Sequence, residues 1–544
     1  MNNSIFTIPE FKNEPCLDYL EGSAEREALM QKLKELKGGC LEIPIVINGE
    51  EIKTGRTVEC ILPHEKQTSI GFYHEASEYE VKLAIESAMD AKIKWESMHW
   101  QHRVAIFLKA AHLASTSWRA TLNAATMLSQ SKTYIQAEID SACELIDFFN
   151  ANAYWLSKIY EQQPINTREA MNRIEYRPLE GFVFAVSPFN FTAIGANLCG
   201  APAMAGNTIV WKPSSTAVYS SYLVYKLLQE AGLPKGVINF IPGNASMISK
   251  IVLSNSNLSG VHFTGSTEVF NYMWKTVGEN VANYKDYPRI VGETGGKNFV
   301  LAHNSANIRH LVMCLIRGAF EYQGQKCSAT SRVYIPESIW LEVKQLLLEE
   351  VSKIKIGNVE EFDNLLGAVI DKSAFTKIKG YIDYAKEADN AEILFGGKCE
   401  DEIGYFIEPT IIQTTDINFK LLVDEIFGPV LTIYVYRDLE FNAIMHHCSC
   451  SSKYALTGSI FANDREIILE AEKALMYSAG NFYINDKTTG AAVGNSPFGG
   501  ARASGTNDKA GSLTNMLRWV SLRSIKENYV QMEEFGYKGM KSEK

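Results

Sequence analysis

The sequence predicts an α/β protein made of two α/β units in tandem. Two observations carry that expectation. Strand-sized apolar runs bounded by Gly, Pro and Ser alternate with helix-length segments from Gly181 onward, the pattern of βαβ units and a parallel sheet. The chain has 544 residues, 46% hydrophobic and 21% charged, enough for more than one core and ordinary for a folded protein.

Taken in order, Ser23–Leu36 reads as a charge-mixed helix within a polar stretch covering residues 1–40. Glu80–Trp95 places Val81, Ala84, Ile85 and Ala88 at helical spacing. His102–Tyr160 reads as a long helical region broken near Ser129–Lys132. Gln162–Arg177, with Pro164 and Thr167 between polar extended runs, reads as a hairpin projecting from the first unit. With the polar tail after Gly505 it is a candidate oligomerisation arm. Phe182–Val186 and Thr208–Lys212 are strands ended by Ser187-Pro188 and Pro213. Ala217–Leu233 is a helix closed by Gly232-Leu-Pro234. Val237–Ile241 and Val261–Thr264 complete the first strand set. Phe299–Ala302, a helix over Ala306–Tyr322, Arg332–Pro336 and a helix to Lys355 open the second.

Charge and cysteine usage narrow the function. The formal charge is −10, from 53 Lys plus Arg against 63 Asp plus Glu, with no basic block. Nucleic acid is therefore not expected as a partner, since phosphate neutralisation needs clustered cations. No apolar run approaches the roughly 18 residues of a membrane span. Ten sparse cysteines suit a reducing compartment better than a disulfide scaffold. The first twenty residues hold Glu10, Glu14 and Asp18 and no Arg, unlike a mitochondrial presequence, so a cytoplasmic location is expected, with the mitochondrial matrix as the alternative.

Several motifs carry chemistry. Cys327, in Gly324-Gln-Lys-Cys-Ser328, follows a helix and adjoins a lysine, a setting in which positive charge and backbone amides favour a nucleophilic thiolate. The other nine cysteines are expected to be small buried hydrophobes. Glu293, in Gly292-Glu-Thr-Gly-Gly296, is a carboxylate on a Gly-rich turn, a candidate general base. Asn190 follows the strand Phe182–Val186 at its carboxyl end, where open α/β sheets bind ligands. Its amide either donates to an oxyanion or caps the next helix. Lys212 ends a strand at the same edge, and Gly265-Ser-Thr opens a helix where N–H groups can hold a pyrophosphate. The fingerprint G-x-G-x-x-G is missing, with Phe270 where a third glycine belongs. His446-His-Cys-x-Cys450 lacks the separated pairs of a structural zinc site, so no metal is expected.

Six motifs in order resemble the aldehyde dehydrogenase superfamily: Ser187-Pro-Phe-Asn190, Trp211-Lys-Pro-Ser214, Phe263-Thr-Gly-Ser266, Glu293-Thr-Gly-Gly-Lys297, Gly324-Gln-Lys-Cys327 and Glu425-Ile-Phe-Gly-Pro429. Asn190-Phe-Thr-Ala193, Glu321-Tyr-x-Gly-Gln-Lys-Cys-Ser-Ala329 and Pro497-Phe-Gly-Gly-Ala-Arg-Ala-Ser-Gly-Thr-Asn507 are similar to its 1-pyrroline-5-carboxylate dehydrogenase branch. Asn13-Glu-Pro15 and Gln136-Ala-Glu-Ile-Asp140 fit as well.

The resemblance implies NAD-dependent oxidation of glutamate γ-semialdehyde to glutamate. It implies a Rossmann-like NAD-binding domain within 1–290, a catalytic domain over 291–488, and an anchor loop and oligomerisation segment over 489–544. It assigns Cys327, Glu293 and Asn190 to catalysis. Ser187, Lys212, Gly265, Ser266, Thr267, Glu268, Val269 and Glu425 are assigned to the cofactor. Phe191, Ser328, Gly490, Ala491 and Phe498 are assigned to the substrate, which is expected to meet a homodimer or larger oligomer. Ala491 departs from the pattern, which carries a serine there. The alternatives are another semialdehyde as substrate, an acylating enzyme or a non-catalytic structural protein; Glu293 argues against acylation.

Overall fold

The computed structural model describes residues 6–540. Two seven-stranded sheets form its frame. The first holds β1 (Ile45–Ile47), β2 (Glu50–Ile52), β3 (Phe182–Val186), β4 (Thr208–Lys212), β5 (Ile238–Phe240), β6 (Leu258–Thr264) and β7 (Arg289–Glu293) in the order β7-β6-β3-β4-β5-β1-β2. The five strands from β7 to β5 are parallel; the alternation predicts four of them, and β7, whose Gly292-Glu293 reads as a turn, is a further strand. The sheet is nonetheless mixed, because β1 and β2 add antiparallel strands that the reading of residues 1–80 misses. They are three residues each, too short to show a period.

The second sheet holds β8 (Asn298–Ala302), β9 (Thr330–Pro336), β10 (Ala391–Phe395), β11 (Thr410–Thr414), β12 (Val430–Tyr436), β13 (Thr457–Phe461) and β14 (Asn481–Ile484), ordered β10-β11-β12-β9-β8-β13-β14. Only β10 runs antiparallel. The strands at the heart of both sheets, β3, β4 and β8, are buried at nearly every position. They therefore read as continuous apolar runs, the signature of strands covered on both faces. Chain passes from the first sheet to the second across Thr294–Lys297, between β7 and β8.

Helix boundaries follow local capping. Ser23 caps Ala24–Gly38 by accepting from Arg26 N. A capping box of Ser77 and Glu80 starts the next helix at Glu78. The region expected to break once breaks twice. Ser131, at φ 55°, ends Arg119–Gln130 where expected. Thr116 ends Trp100–Ser115 by turning its hydroxyl back to the His112 carbonyl at 2.7 Å, the competition by which Ser and Thr stop helices. Glu138–Glu144 is π-helical.

The expected hairpin is a different ladder. Ala170–Pro178 pairs antiparallel with Val520–Asn528, from Val520 opposite Pro178 to Asn528 opposite Ala170. Residues 162–167 do turn back along it, but through side chains: Gln163 Oε1 accepts from Ile174 N at 2.8 Å and Asn166 Oδ1 from Asn172 N at 2.7 Å. Pro164, with no N–H of its own, suits that arrangement. Among the described residues no helix is long and apolar enough to cross a membrane.

Candidate active site

The first sheet delivers its chemistry at one edge. In register, Val186 is level with both Lys212 and Phe263, and Thr264 is level with Glu293. The carboxyl ends of β3, β4, β6 and β7 thus converge, bringing Ser187, Asn190, Lys212, Gly265 and Glu293 to the same rim.

Cys327 sits in the loop between the helix Ile308–Phe320 and β9. Three successive left-handed residues, Tyr322 (φ 54°), Gln323 (φ 56°) and Gly324 (φ 66°), shape the approach. Two are not glycine, and such strain persists only where the surroundings enforce it. Gly324 is fixed sterically, since a Cβ there would stand 2.2 Å from the Gly428 carbonyl oxygen. Asn298, the first residue of β8, clamps the loop by donating to the carbonyls of Cys327 at 2.7 Å and Ala329 at 2.9 Å. Asn190 Nδ2 donates to the Gln325 carbonyl at 3.0 Å. The capping role for Asn190 is thereby excluded: the helix Thr192–Met204 (α1) is capped by Asp140, whose carboxylate takes Thr192 N and Ala193 N at 2.9 and 2.8 Å.

Burial pushes the Cys327 thiol up to about 12, with Glu293 and Glu425 adding to the rise. The neighbouring lysine does not offset this, contrary to the expectation from sequence. Lys326 turns to Glu321, 3.3 Å away. The group that favours the thiolate is the Ser328 backbone N–H. The expectation for the remaining cysteines also needs correction, because Cys16, Cys40 and Cys450 are exposed.

Glu293, the last residue of β7, is half-buried, and desolvation there holds its carboxyl well above the usual range. Gly500 N donates to Oε2 at 2.8 Å. Lys509 opposes the rise and Asp508 adds to it. Lys509 Nζ also donates to the carbonyls of Gly480 at 2.7 Å and Gly499 at 3.1 Å, holding the segment that supplies the Gly500 N–H.

The residues at the rim fit NAD. Lys212 is almost fully buried at the end of β4, and burial lowers its ammonium to about 8. Ser266 caps the helix Thr267–Glu279 (α2) by accepting from Val269 N at 3.3 Å. Gly265, Glu268 and Val269 lie at least partly open at that terminus, while Thr267 is buried. Ser187 is buried and accepts the Trp211 indole N–H at 3.0 Å, keeping its own hydroxyl hydrogen to donate. Phe270 stacks on Phe263 with centroids 5.4 Å apart, filling the space a third glycine would leave open. Glu425 accepts from Gly296 N at 2.9 Å and crowds Gly295, where a Cβ would stand 2.3 Å from its Oε2.

Around the residues assigned by resemblance to the substrate, Thr488 Oγ1 donates to the Ser328 carbonyl at 2.7 Å, which ties the Gly490–Ala491 loop to Ser328. Thr489 Oγ1 is buried there without a partner among the described residues. The Phe191 ring lies 4.0 Å from Lys132 Nζ, and Phe498 bridges to Ala510. Among the described residues the two rings make no direct aromatic contact with each other.

Sequence reasoning missed a buried charged cluster beside the cysteine loop, where Lys132 Nζ lies 4.5 Å from the Tyr322 ring. Lys132 pairs with Asp140 at 2.7 Å, both almost fully buried. Glu144 Oε2 is buried with no partner among the described residues. Burial, with Asp140 adding, raises its carboxyl to about 8. The signal was an acid in an otherwise apolar helical run, Ala142-Cys-Glu-Leu-Ile146, which is costly to bury without a purpose.

Comparison with known proteins bears on this geometry. A model of the aldehyde dehydrogenase family matches residues 51–525. A Dictyostelium discoideum protein named delta-1-pyrroline-5-carboxylate dehydrogenase, mitochondrial, is 50% identical over 533 residues, 97% of this chain and 96% of that protein. The Homo sapiens protein of the same name is 46% identical over 526 residues, 96% of this chain and 93% of its own length. A crystal structure of delta-pyrroline-5-carboxylate dehydrogenase from Mycobacterium tuberculosis, bound with NAD, superposes with a TM-score of 0.96 at 45% identity, covering 99% of this chain and 100% of that one.

Proposed function

The chain belongs to the aldehyde dehydrogenase family, and from that premise we propose how its residues oxidise L-glutamate γ-semialdehyde, the open form of 1-pyrroline-5-carboxylate, to L-glutamate in proline degradation. The observation that carries the reading is the cysteine loop itself, clamped by Asn298 and held by the Asn190 amide two residues ahead of Cys327.

Cys327 attacks the aldehyde carbon to form a thiohemiacetal. The Asn190 amide and the Cys327 backbone N–H donate to the oxyanion; one such donor is worth about 3–4 kcal/mol. When bound, NAD supplies the acceptor for the hydride lost from the aldehyde carbon. Lys212, Gly265–Val269, Ser187 and Glu425 hold that cofactor at the rim of the first sheet. Glu293 then takes a proton from the water that hydrolyses the Cys327 thioester. Phe191 and Phe498 enclose the substrate methylenes, while Ser328, Gly490 and Ala491 receive its carboxylate. The unpaired carboxyl of Glu144 receives its ammonium.

By role, residues 1–290 carry the cofactor side, 291–488 the nucleophile, and 489–544 the anchor loop and the arm strand. The arm joins copies into a homodimer or larger oligomer; the exposed Met171 and Leu522 on its two strands support that. The cytoplasm is the expected compartment, with the mitochondrial matrix as the alternative, and the name of the human relative, which says mitochondrial, supports that alternative.

One assay tests the substrate. NADH formation is measured with purified protein and 1-pyrroline-5-carboxylate, beside succinate semialdehyde and acetaldehyde. Preference for either of the latter two overturns the assignment.

A further inference from the structure

Two of the ten cysteines meet. Cys16 Sγ lies 3.4 Å from Cys143 Sγ, far from Cys327 in sequence and outside the proposed chemistry. Cys16 is exposed on the extended segment that precedes the first helix, and Cys143 is buried in the π-helix Glu138–Glu144.

The contact is built on both sides. Asn13 Nδ2 and Glu14 N each donate to the Asp147 carboxylate at 2.7 Å. Arg119 pairs with Glu14 at 2.6 Å and donates to the Pro15 carbonyl at 2.9 Å. Leu17 N and the Tyr19 hydroxyl donate to Glu138 at 2.9 and 2.7 Å. The residues on either side of Cys16 are thus fastened to the elements that carry Cys143, and the two sulfurs are held in register. Closing the gap to a bond of about 2.05 Å needs a shift of about 1.4 Å, within reach of an exposed segment.

We propose that Cys16 and Cys143 are an oxidisable dithiol that forms an intramolecular disulfide with a peroxide as oxidant.

The charges around the pair divide the labour. The Cys16 thiol lies below its ordinary value, chiefly through its hydrogen bond with Cys143, with Arg119 helping and burial, Glu138 and Asp147 opposing. Cys143 lies above its ordinary value, through the same contact, burial and Glu138. Cys16 is therefore the attacking thiolate, and it is the one that solvent reaches. Its sulfur attacks one peroxide oxygen, the O–O bond breaks, and Cys16 becomes a sulfenic acid as hydroxide leaves. Cys143 loses its proton and attacks that sulfur, expelling a second hydroxide, which is protonated to water. Two thiols and hydrogen peroxide yield one disulfide and two waters; the sulfurs give up two electrons and the peroxide oxygens accept them. A dithiol reductant reverses the bond by exchange.

The bond joins the N-terminal segment to the element that carries Asp140, the cap of α1, and Glu144. It closes a loop of 127 residues, which restricts the unfolded chain. The oxidised protein is accordingly expected to melt at a higher temperature than the reduced one.

The test treats the full chain with stoichiometric hydrogen peroxide, blocks the remaining thiols with iodoacetamide, and maps disulfide peptides by mass spectrometry. The expected product links the peptides of Cys16 and Cys143, disappears with dithiothreitol, and is absent in Cys16→Ser. The melting temperature rises on oxidation in the wild type and not in Cys16→Ser, whose exposed side chain makes it the variant that keeps its fold. Recovery of Cys16 and Cys143 as alkylated thiols while Cys40 and Cys450 are oxidised overturns the proposal. So does a Cys16 disulfide between two molecules.

Discussion

Asn190 Nδ2 donates to the carbonyl oxygen of Gln325 across 3.0 Å, joining the loop after β3 to the loop that ends at Cys327. One amide hydrogen is used in that bond and the other remains for a substrate oxyanion. Asn190→Ala is therefore expected to lower kcat by about 10²–10³, the usual cost of losing one oxyanion donor. NAD affinity, followed by fluorescence titration, should stay near that of the wild type. A kcat within twofold of the wild type removes Asn190 from the chemistry.

Cys327→Ala should abolish aldehyde oxidation and leave NAD binding intact. The environment of the thiol gives a second readout. With burial holding it up near 12, the thiolate is scarce at neutral pH and grows about tenfold per pH unit below that value. In cofactor-free protein, alkylation at Cys327 should lag behind that at the exposed Cys40 and Cys450 at pH 7 and accelerate steeply toward pH 10. Rapid labelling of Cys327 at pH 7, with no further increase, contradicts a thiol held above its ordinary value.

A carboxyl in the general-base role proposed for Glu293 works only when ionised. That carboxyl is raised by burial, so thioester hydrolysis should rise with pH through the Glu293 pKa and fall away below it. Charged and titratable groups facing it are Lys509, Asp508 and Cys327. Lys509→Met removes the cation that favours the carboxylate, and the alkaline rise of kcat should move to higher pH while the KM for aldehyde changes little. Glu293→Gln should slow hydrolysis more than acylation, leaving a burst of NADH before a slow steady state. An unmoved pH profile in Lys509→Met, with kcat lowered equally at every pH, would assign the lysine a purely structural part.

What the sequence reveals and what it hides divide along a physical line. Strands such as Phe182–Val186 and Thr208–Lys212 are legible to the residue, because burial on both faces leaves an apolar run closed by Ser187-Pro188 or Pro213. β1 and β2 are not, since three residues carry no period. The arm fails for another reason. Its ladder joins Ala170 to Asn528, and a partner so distant in sequence leaves no local trace. Among candidate site residues, those on strand ends and glycine turns lie at the rim where the pattern puts them, while their roles rest on the resemblance. Lys326 misled, because a neighbour in sequence turned its charge toward Glu321. Glu144 and Lys132 stayed hidden, since their value lies in a cluster assembled across separate elements.

Glu144 offers the sharpest test of the substrate's amine. A carboxyl raised to about 8 is largely protonated at pH 7, and an ammonium beside it would draw it back to its charged form. Glu144→Gln keeps the shape and removes that response. A charge-assisted bond is worth about 1.5–3 kcal/mol, so the KM for glutamate γ-semialdehyde should rise by about ten- to a hundredfold. Succinate semialdehyde, which has a carboxylate and no amine, should be nearly unaffected. Equal losses for both aldehydes would mean that Glu144 supports the loop and does not read the amine.

Ala491 tests the other end of the substrate. Thr488 ties the Gly490–Ala491 loop to the Ser328 carbonyl at 2.7 Å, which places the loop's backbone beside the nucleophile. With alanine in place of the serine of the family pattern, the loop offers N–H groups and no hydroxyl. It should still separate charged from uncharged aldehydes, because backbone donors alone favour a carboxylate. Under the proposed placement, Ala491→Ser adds one donor toward the carboxylate. The ceiling is about ten- to a hundredfold in affinity, and ordering of the new rotamer reduces it. The expected result is a several-fold lower KM for glutamate γ-semialdehyde and no change for acetaldehyde, measured by NADH formation under identical conditions. If the serine shifts both aldehydes alike, or neither, the carboxylate is held elsewhere, and the buried, unpartnered Thr489 hydroxyl on the same loop becomes the donor to examine next.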